Sequence, residues 1–171
     1  MTALIEMLRK RGWEIREHPQ PVALLPDDLR SRYPVVPPGI TDFLGRFEVC
    51  HNAEENVWFL SAEDFRKTDD DGFRWNEYEL MGIESAEDDP ASQAQVRAFW
   101  NDHLPIMLAV HSDYDYLAVR LAEPNKGSIV HGCAPDWEEP SRVAGSFDEF
   151  LRQFAAEAAS SNPEFPYGVF L

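Results

Sequence analysis

The chain has 171 residues, 31 of them acidic and 15 basic, for a formal net charge of −16 and a pI near 4.5. That balance repels nucleic acid and anionic membrane surfaces, which excludes both as partners, and it attracts basic proteins. Hydrophobic residues, at 44%, suffice for a packed core, and no apolar run reaches the ~20 residues of a membrane span.

The length suits one domain spanning residues 1–171. In MTALIEMLRKRGWEI the apolar residues precede the basic ones, the reverse of a secretory signal. Cys50 and Cys133 do not make a disulfide scaffold, so the expectation is a cytoplasmic protein with reduced thiols. The charge is uneven. Residues 61–92 carry 11 acidic against 3 basic side chains, half of the net charge in less than a fifth of the chain. A solvated face and a patch for a cationic protein both account for it.

Along the chain, Ala3 to Arg11 is predicted as a short helix, with Leu4, Ile5 and Leu8 on one face and Gly12 at its end. Trp13–Glu17 and Val22–Leu25 read as short strands, joined through Pro19, Pro21 and Pro26. Pro37 and Pro38 then precede a helix whose apolar face is Ile40, Phe43, Leu44 and Phe47. Val57–Leu60 reads as a buried strand. Ser61-Ala-Glu-Asp64 is a capping box for one helical turn, with Phe65 inward. Residues 67–90 show no clean period. Asp89 and Pro90 open a further helix with Val96, Phe99, Trp100 and His103 facing inward.

Pro105–Val110 and Tyr114–Leu121 are predicted neighbouring strands. In the second, Leu117, Val119 and Leu121 point one way, and Tyr116, Ala118 and Arg120 the other. Pro124-Asn-Lys-Gly127 is a hairpin-type turn into a strand over Ser128–His131. Ser146-Phe-Asp-Glu149 caps a last helix with Phe147, Phe150, Leu151 and Phe154 on one face. The closing NPEFPYGVFL is too aromatic for a free tail and is expected to lie over the domain.

Three pieces recur in a known order: the Pro-preceded helix VVPPGITDFL, the strand SDYDYLAVRL, and KGSIVHGCAPDWEEPSRVAGSFDEFL. Together they span roughly residues 33–155 and resemble the SUKH superfamily, which holds fungal cell-wall regulators and many bacterial immunity proteins. Ser112-Asp113 stands where that family usually has Gly-Asp, and Arg120 where it has Asp. The resemblance implies an α+β fold, a mixed, mostly antiparallel sheet flanked by helices. It also implies a binding protein rather than an enzyme: a cytoplasmic immunity protein that neutralises a cognate toxin domain, often a nuclease. The alternative within the family is a regulatory or scaffold module that is not an immunity protein.

No catalytic constellation competes with that expectation. The histidines His18, His51, His103, His111 and His131 and the two cysteines match no zinc spacing. Nothing marks Cys133 as an activated nucleophile. The acids at 69–71 do not fit a calcium loop, and no glycine-rich phosphate loop occurs. No metal and no cofactor are expected. The candidate partner-binding residues are Asp113, Asp115, Asp136, Trp137, Glu138 and Glu139, which lie at strand ends and in one loop where side chains can converge at a sheet edge. Trp137 is either a core plug or an interface anchor among carboxylates. A basic protein, such as a nuclease toxin with a groove for phosphate, is the expected partner.

Overall fold

The computed structural model describes residues 2–67, 72–111, 113–134 and 138–171. Seven strands form one sheet in the order β1 to β7, each hydrogen-bonded to its neighbour in sequence, and every pairing is antiparallel. The protein is therefore α+β, as expected, with the sheet a pure meander among the described residues. The strands are β1 (Glu14–Glu17), β2 (Phe47–His51), β3 (Val57–Phe59), β4 (His103–Ala109), β5 (Asp115–Arg120), β6 (Ile129–Cys133) and β7 (Ser141–Ala144). The helices are α1 (Thr2–Lys10), α2 (Asp27–Arg32), α3 (Pro38–Leu44), α4 (Ala62–Arg66), α5 (Glu77–Ser85), α6 (Pro90–Asp102) and α7 (Phe147–Ala159), followed by a 3-10 turn at Tyr167–Phe170.

Both faces of the central strands are covered. Every residue of β4 is buried, and so are Asp115 through Val119 of β5. On one face Phe59, beside Met107 and Leu117 in register, meets Phe43 of α3 at 5.4 Å and Phe154 of α7 at 5.7 Å between ring centroids. On the other, Tyr116 meets Trp100 of α6 at 5.0 Å and Tyr78 of α5 at 6.1 Å. The alternation anticipated for β5 thus points Leu117 and Val119 at α3 and α7, and Tyr116 and Ala118 at α5 and α6.

Local chemistry sets the element ends. The Ser61 box forms in both directions: Asp64 Oδ2 accepts from the Ser61 amide at 2.7 Å, and Ser61 Oγ accepts from the Asp64 amide at 3.4 Å. Asp89 Oδ1 accepts from the Ala91 amide at 2.9 Å ahead of Pro90. Ser146 Oγ caps Glu149 at 3.2 Å, but the returning Glu149 carboxylate takes the Gly145 amide at 2.6 Å, one residue earlier than in a standard box. Asn125, at φ +70°, and Gly127, at φ +85°, supply the left-handed residues of the β5–β6 turn.

Several expectations are corrected. Val22–Leu25 is not a strand; the three prolines around it leave the Val22 amide bonded to the Gly45 carbonyl at 2.9 Å and little else of a ladder. Phe47 does not extend the helix face; α3 ends at Leu44, and Phe47 opens β2, its ring still packed on Phe43 at 5.1 Å. Helices α2 and α5 and strand β7 lie in segments with no readable period. His103 begins β4 rather than closing the helix before it. The final segment does lie over the domain: Phe170 is fully buried, and Arg11 Nε donates to the Ala158 carbonyl at 2.7 Å, tying α1 to the end of α7. Among the described residues, no helix is long and apolar enough to cross a membrane.

Candidate functional site

The chain reaches the C-terminal end of β6 and the N-terminal end of β5 at one place, because the two strands are paired in opposite directions. The ladder runs one step past the strands: the Ala134 amide donates to the Tyr114 carbonyl at 3.1 Å. This fixes Asp113 and Tyr114 beside Ala134, and brings Glu138 and Glu139 to the same end of the sheet. Asp113 and Glu139 are exposed and Glu138 is half-buried. Among the described residues, no cation forms an ion pair with any of the three. Asp136 and Trp137 lie outside the described residues.

Asp115 departs from the expectation of a surface acid. It is 4% exposed, and its Oδ1 lies 2.7 Å from Nε2 of His131, itself 4% exposed. The reason is register. Asp115 is the first residue of β5 on the same face as Leu117 and His131, so the pleat turns it under the C-terminal segment. There Phe165 and Phe170 stand edge-on to the His131 ring at 5.1 and 6.0 Å. Burying a carboxylate requires such a partner. Asp115 is thus a structural acid.

On the opposite face, α5 and α6 do not close completely. Between them lies a groove of about 770 Å3, lined by Met81, Gly82, Ser85 and Ala86 of α5 and its turn, by Ser92, Gln95, Val96 and Phe99 of α6, and by Tyr114, Ala134 and Glu138 from the sheet end. Tyr114 is 40% exposed, a large value for an aromatic side chain. It is held by a stacked contact with Phe73 at 6.1 Å and an edge contact with Tyr78 at 5.9 Å. Tyr78 is anchored below: its hydroxyl lies 2.9 Å from the Ala109 carbonyl and 3.1 Å from that of Asp115. Burial, with Asp115 nearby, pushes the Tyr78 phenol well above its usual range, so it remains a neutral donor.

The groove's described lining offers apolar surface, three hydroxyls, an amide and one carboxylate. Its immediate surroundings are acidic. Glu84, Glu87 and Asp88 project as exposed residues at the end of α5 and in the turn after it. Arg97 is the one basic residue of α5 and α6 together, and its guanidinium nitrogens lie 3.5 Å from Gln93 Oε1.

Other reactive groups are arranged as structure. Burial pushes the Cys50 thiol far above its ordinary value, which keeps it protonated and unreactive. Among the described residues, no three His, Cys, Asp or Glu side chains converge to hold a metal ion.

Of the six candidate residues, then, Asp113, Glu138 and Glu139 share one end of the sheet and Asp115 is withdrawn from it. The apolar half of the site, Met81, Val96, Phe99 and Tyr114, was not singled out by sequence. The available signal was the Asp89-Pro90 helix start, which implies a turn before it and an inward face with Val96 and Phe99 on the helix that follows. No family model, curated protein or solved structure matches the chain.

Proposed function

We propose that the protein is a binding module that neutralises a basic protein partner, acting as an immunity protein against a toxin domain with a cation-rich surface, such as a nuclease. One observation carries this: Asp113, Glu138 and Glu139 sit at one end of the sheet, and among the described residues none of them forms an ion pair. Three such carboxylates in a chain of net charge −16 favour an external cation and speed its approach. The sequence resemblance to the SUKH superfamily, whose bacterial members include many immunity proteins, supports the reading of a binding protein and suggests the immunity role.

A nuclease binds phosphate through lysine and arginine. A protein that offers carboxylates in place of phosphates competes for the same groups and blocks the groove. The association rate is then steep in ionic strength, because Asp113 and Glu139 are exposed and their field is screened over about 8 Å at physiological salt.

The test is growth rescue and binding together. A protein captured by the chain from its native host, or a basic nuclease domain found among the flanking genes, is expressed with and without the chain, and association is followed at several salt concentrations. Rescue by the wild type, lost when Asp113, Glu138 and Glu139 are changed to Lys, is the expected result. Binding whose rate ignores both salt and the triple change would sink the proposal. A non-toxin partner held through the same carboxylates would make the protein a regulatory module instead.

A further inference from the structure

We infer that the groove between α5 and α6 is the docking site for an amphipathic cationic helix of the partner, whose apolar ridge seats on Met81, Val96, Phe99 and Tyr114 while its lysine or arginine side chains meet Glu138 and the carboxylates of the α5–α6 turn. This inference rests on the basic-partner proposal and adds the shape of what binds.

The groove selects its occupant in three ways. Its volume, about 770 Å3, admits several side chains at once, and a single anchor would leave most of it empty. Its walls are two helices, and the ridge of a third helix is the complementary shape, read at i, i+3, i+4 and i+7. Its charge is one-sided: Glu138 lines it, and the exposed Glu84, Glu87 and Asp88 flank its lining residues Ser85 and Ala86 in the chain, against Arg97 as the one base of α5 and α6. A second copy of this chain would bring a further −16 to that border, which disfavours self-docking. The exposed ring of Tyr114 has the character of a binding anchor: a rigid aromatic supported from beneath by Phe73 and Tyr78.

Three synthetic peptides of about 14 residues, long enough to follow α6, provide the probe. One carries Leu at i, i+3, i+4 and i+7 with Lys elsewhere, the second has the same composition in scrambled order, and the third replaces Lys with Glu. Binding to the full chain is read by fluorescence anisotropy of a labelled peptide end. Gln95→Trp and Ser85→Trp fill the groove from exposed helix positions, and unchanged far-UV circular dichroism verifies their fold. A triple variant, Glu84→Lys, Glu87→Lys and Glu138→Lys, reverses the border.

The ordered Leu/Lys peptide is expected to bind at least about tenfold more tightly than the scrambled one, and each Trp variant to lose about tenfold, the effect of a hot-spot contact. The Leu/Glu peptide should not bind. If both Trp variants bind like wild type while the charge reversal abolishes binding, the groove inference fails and the basic-partner proposal stands. If the Leu/Glu peptide binds as well as the Leu/Lys one, the basic-partner proposal fails too. Two further outcomes overturn the helix as occupant. One is an apolar dye that enters the groove and is excluded by Gln95→Trp while no peptide binds. The other is dimerisation of the wild type that Gln95→Trp abolishes.

Discussion

Arg32 and Glu79 meet through two parallel hydrogen bonds of 2.8 Å, Nη1 to Oε2 and Nη2 to Oε1. Arg32 Nε donates a third, also 2.8 Å, to Asn101 Oδ1. One guanidinium therefore joins α2, α5 and α6, and it lies 5.1 Å from the Tyr33 ring and 5.8 Å from that of Trp75. The planar fork of arginine suits this geometry, and lysine would satisfy one of the three acceptors well. The pair sets where α5 stands relative to α6, and so the width of the groove between them.

Arg32→Met leaves the Glu79 carboxylate, 9% exposed, without its partner. The expected cost is about 2–3 kcal/mol, less than for a fully buried pair because 23% of the Arg32 side chain reaches solvent. The double variant Arg32→Met, Glu79→Leu should cost less than the single one. Urea midpoints of the wild type, both single variants and the double variant measure this coupling, and losses that simply add would show that none exists.

Asp113 and Asp115 are two residues apart and predict opposite outcomes. Asp115→Ala strips buried His131 of its acceptor and should destabilise the fold by about 1–3 kcal/mol. Asp113→Ala, in solvent, should remain within about 0.5 kcal/mol of wild type. Chemical denaturation of the two single variants is the check, and a comparable loss in both would contradict the burial difference.

Gly132 faces Tyr116 across the β5–β6 pair, and a Cβ there would overlap the tyrosine ring. Tyr116 is fully buried, so it has nowhere to move. Gly132→Ala should cost about 1–3 kcal/mol through overpacking. In a Tyr116→Leu background the same alanine should cost markedly less. Thermal midpoints of the four-member cycle decide the matter.

His103 sets a pH dependence. Burial lowers its pKa below the ordinary 6.5, and nearby Arg120 adds to the effect. The unfolded chain therefore takes up this proton at a higher pH than the folded one. Stability from this group is complete above about pH 6.5 and falls as pH drops below it, until the folded-state imidazole protonates as well. His103→Leu should flatten the change in urea midpoint between about pH 7.5 and 5.5. An identical slope in the variant would assign the dependence to other groups.

The parts of the fold legible from sequence were those specified by local chemistry. Ser61, Asp89-Pro90 and Ser146 marked helix starts because a cap is decided within three or four residues. The alternation of β5 was legible because both its faces are apolar in turn. Asp115 was misplaced because its burial depends on His131, sixteen positions on, which pairs with it only once β6 is in register. Helix α5 escaped because its burial is distributed: Tyr78, Glu79 and Gly82 face inward, and Glu79 does so only by virtue of Arg32 on another helix. The acidic half of the candidate site was visible as composition, whereas its apolar half required the packing of two helices to be known.

Strands β3 and β4 are hydrogen-bonded neighbours, Phe59 opposite Met107, yet the chain makes a long excursion between the end of β3 and the start of β4 at His103. That excursion carries α4, α5 and α6, and so both helical walls of the groove. The excursion is tied back to the scaffold, through Tyr78 and Trp100 against Tyr116 and through Arg32 to Glu79 and Asn101, so helices grafted in its place would have to keep those contacts to leave the sheet intact.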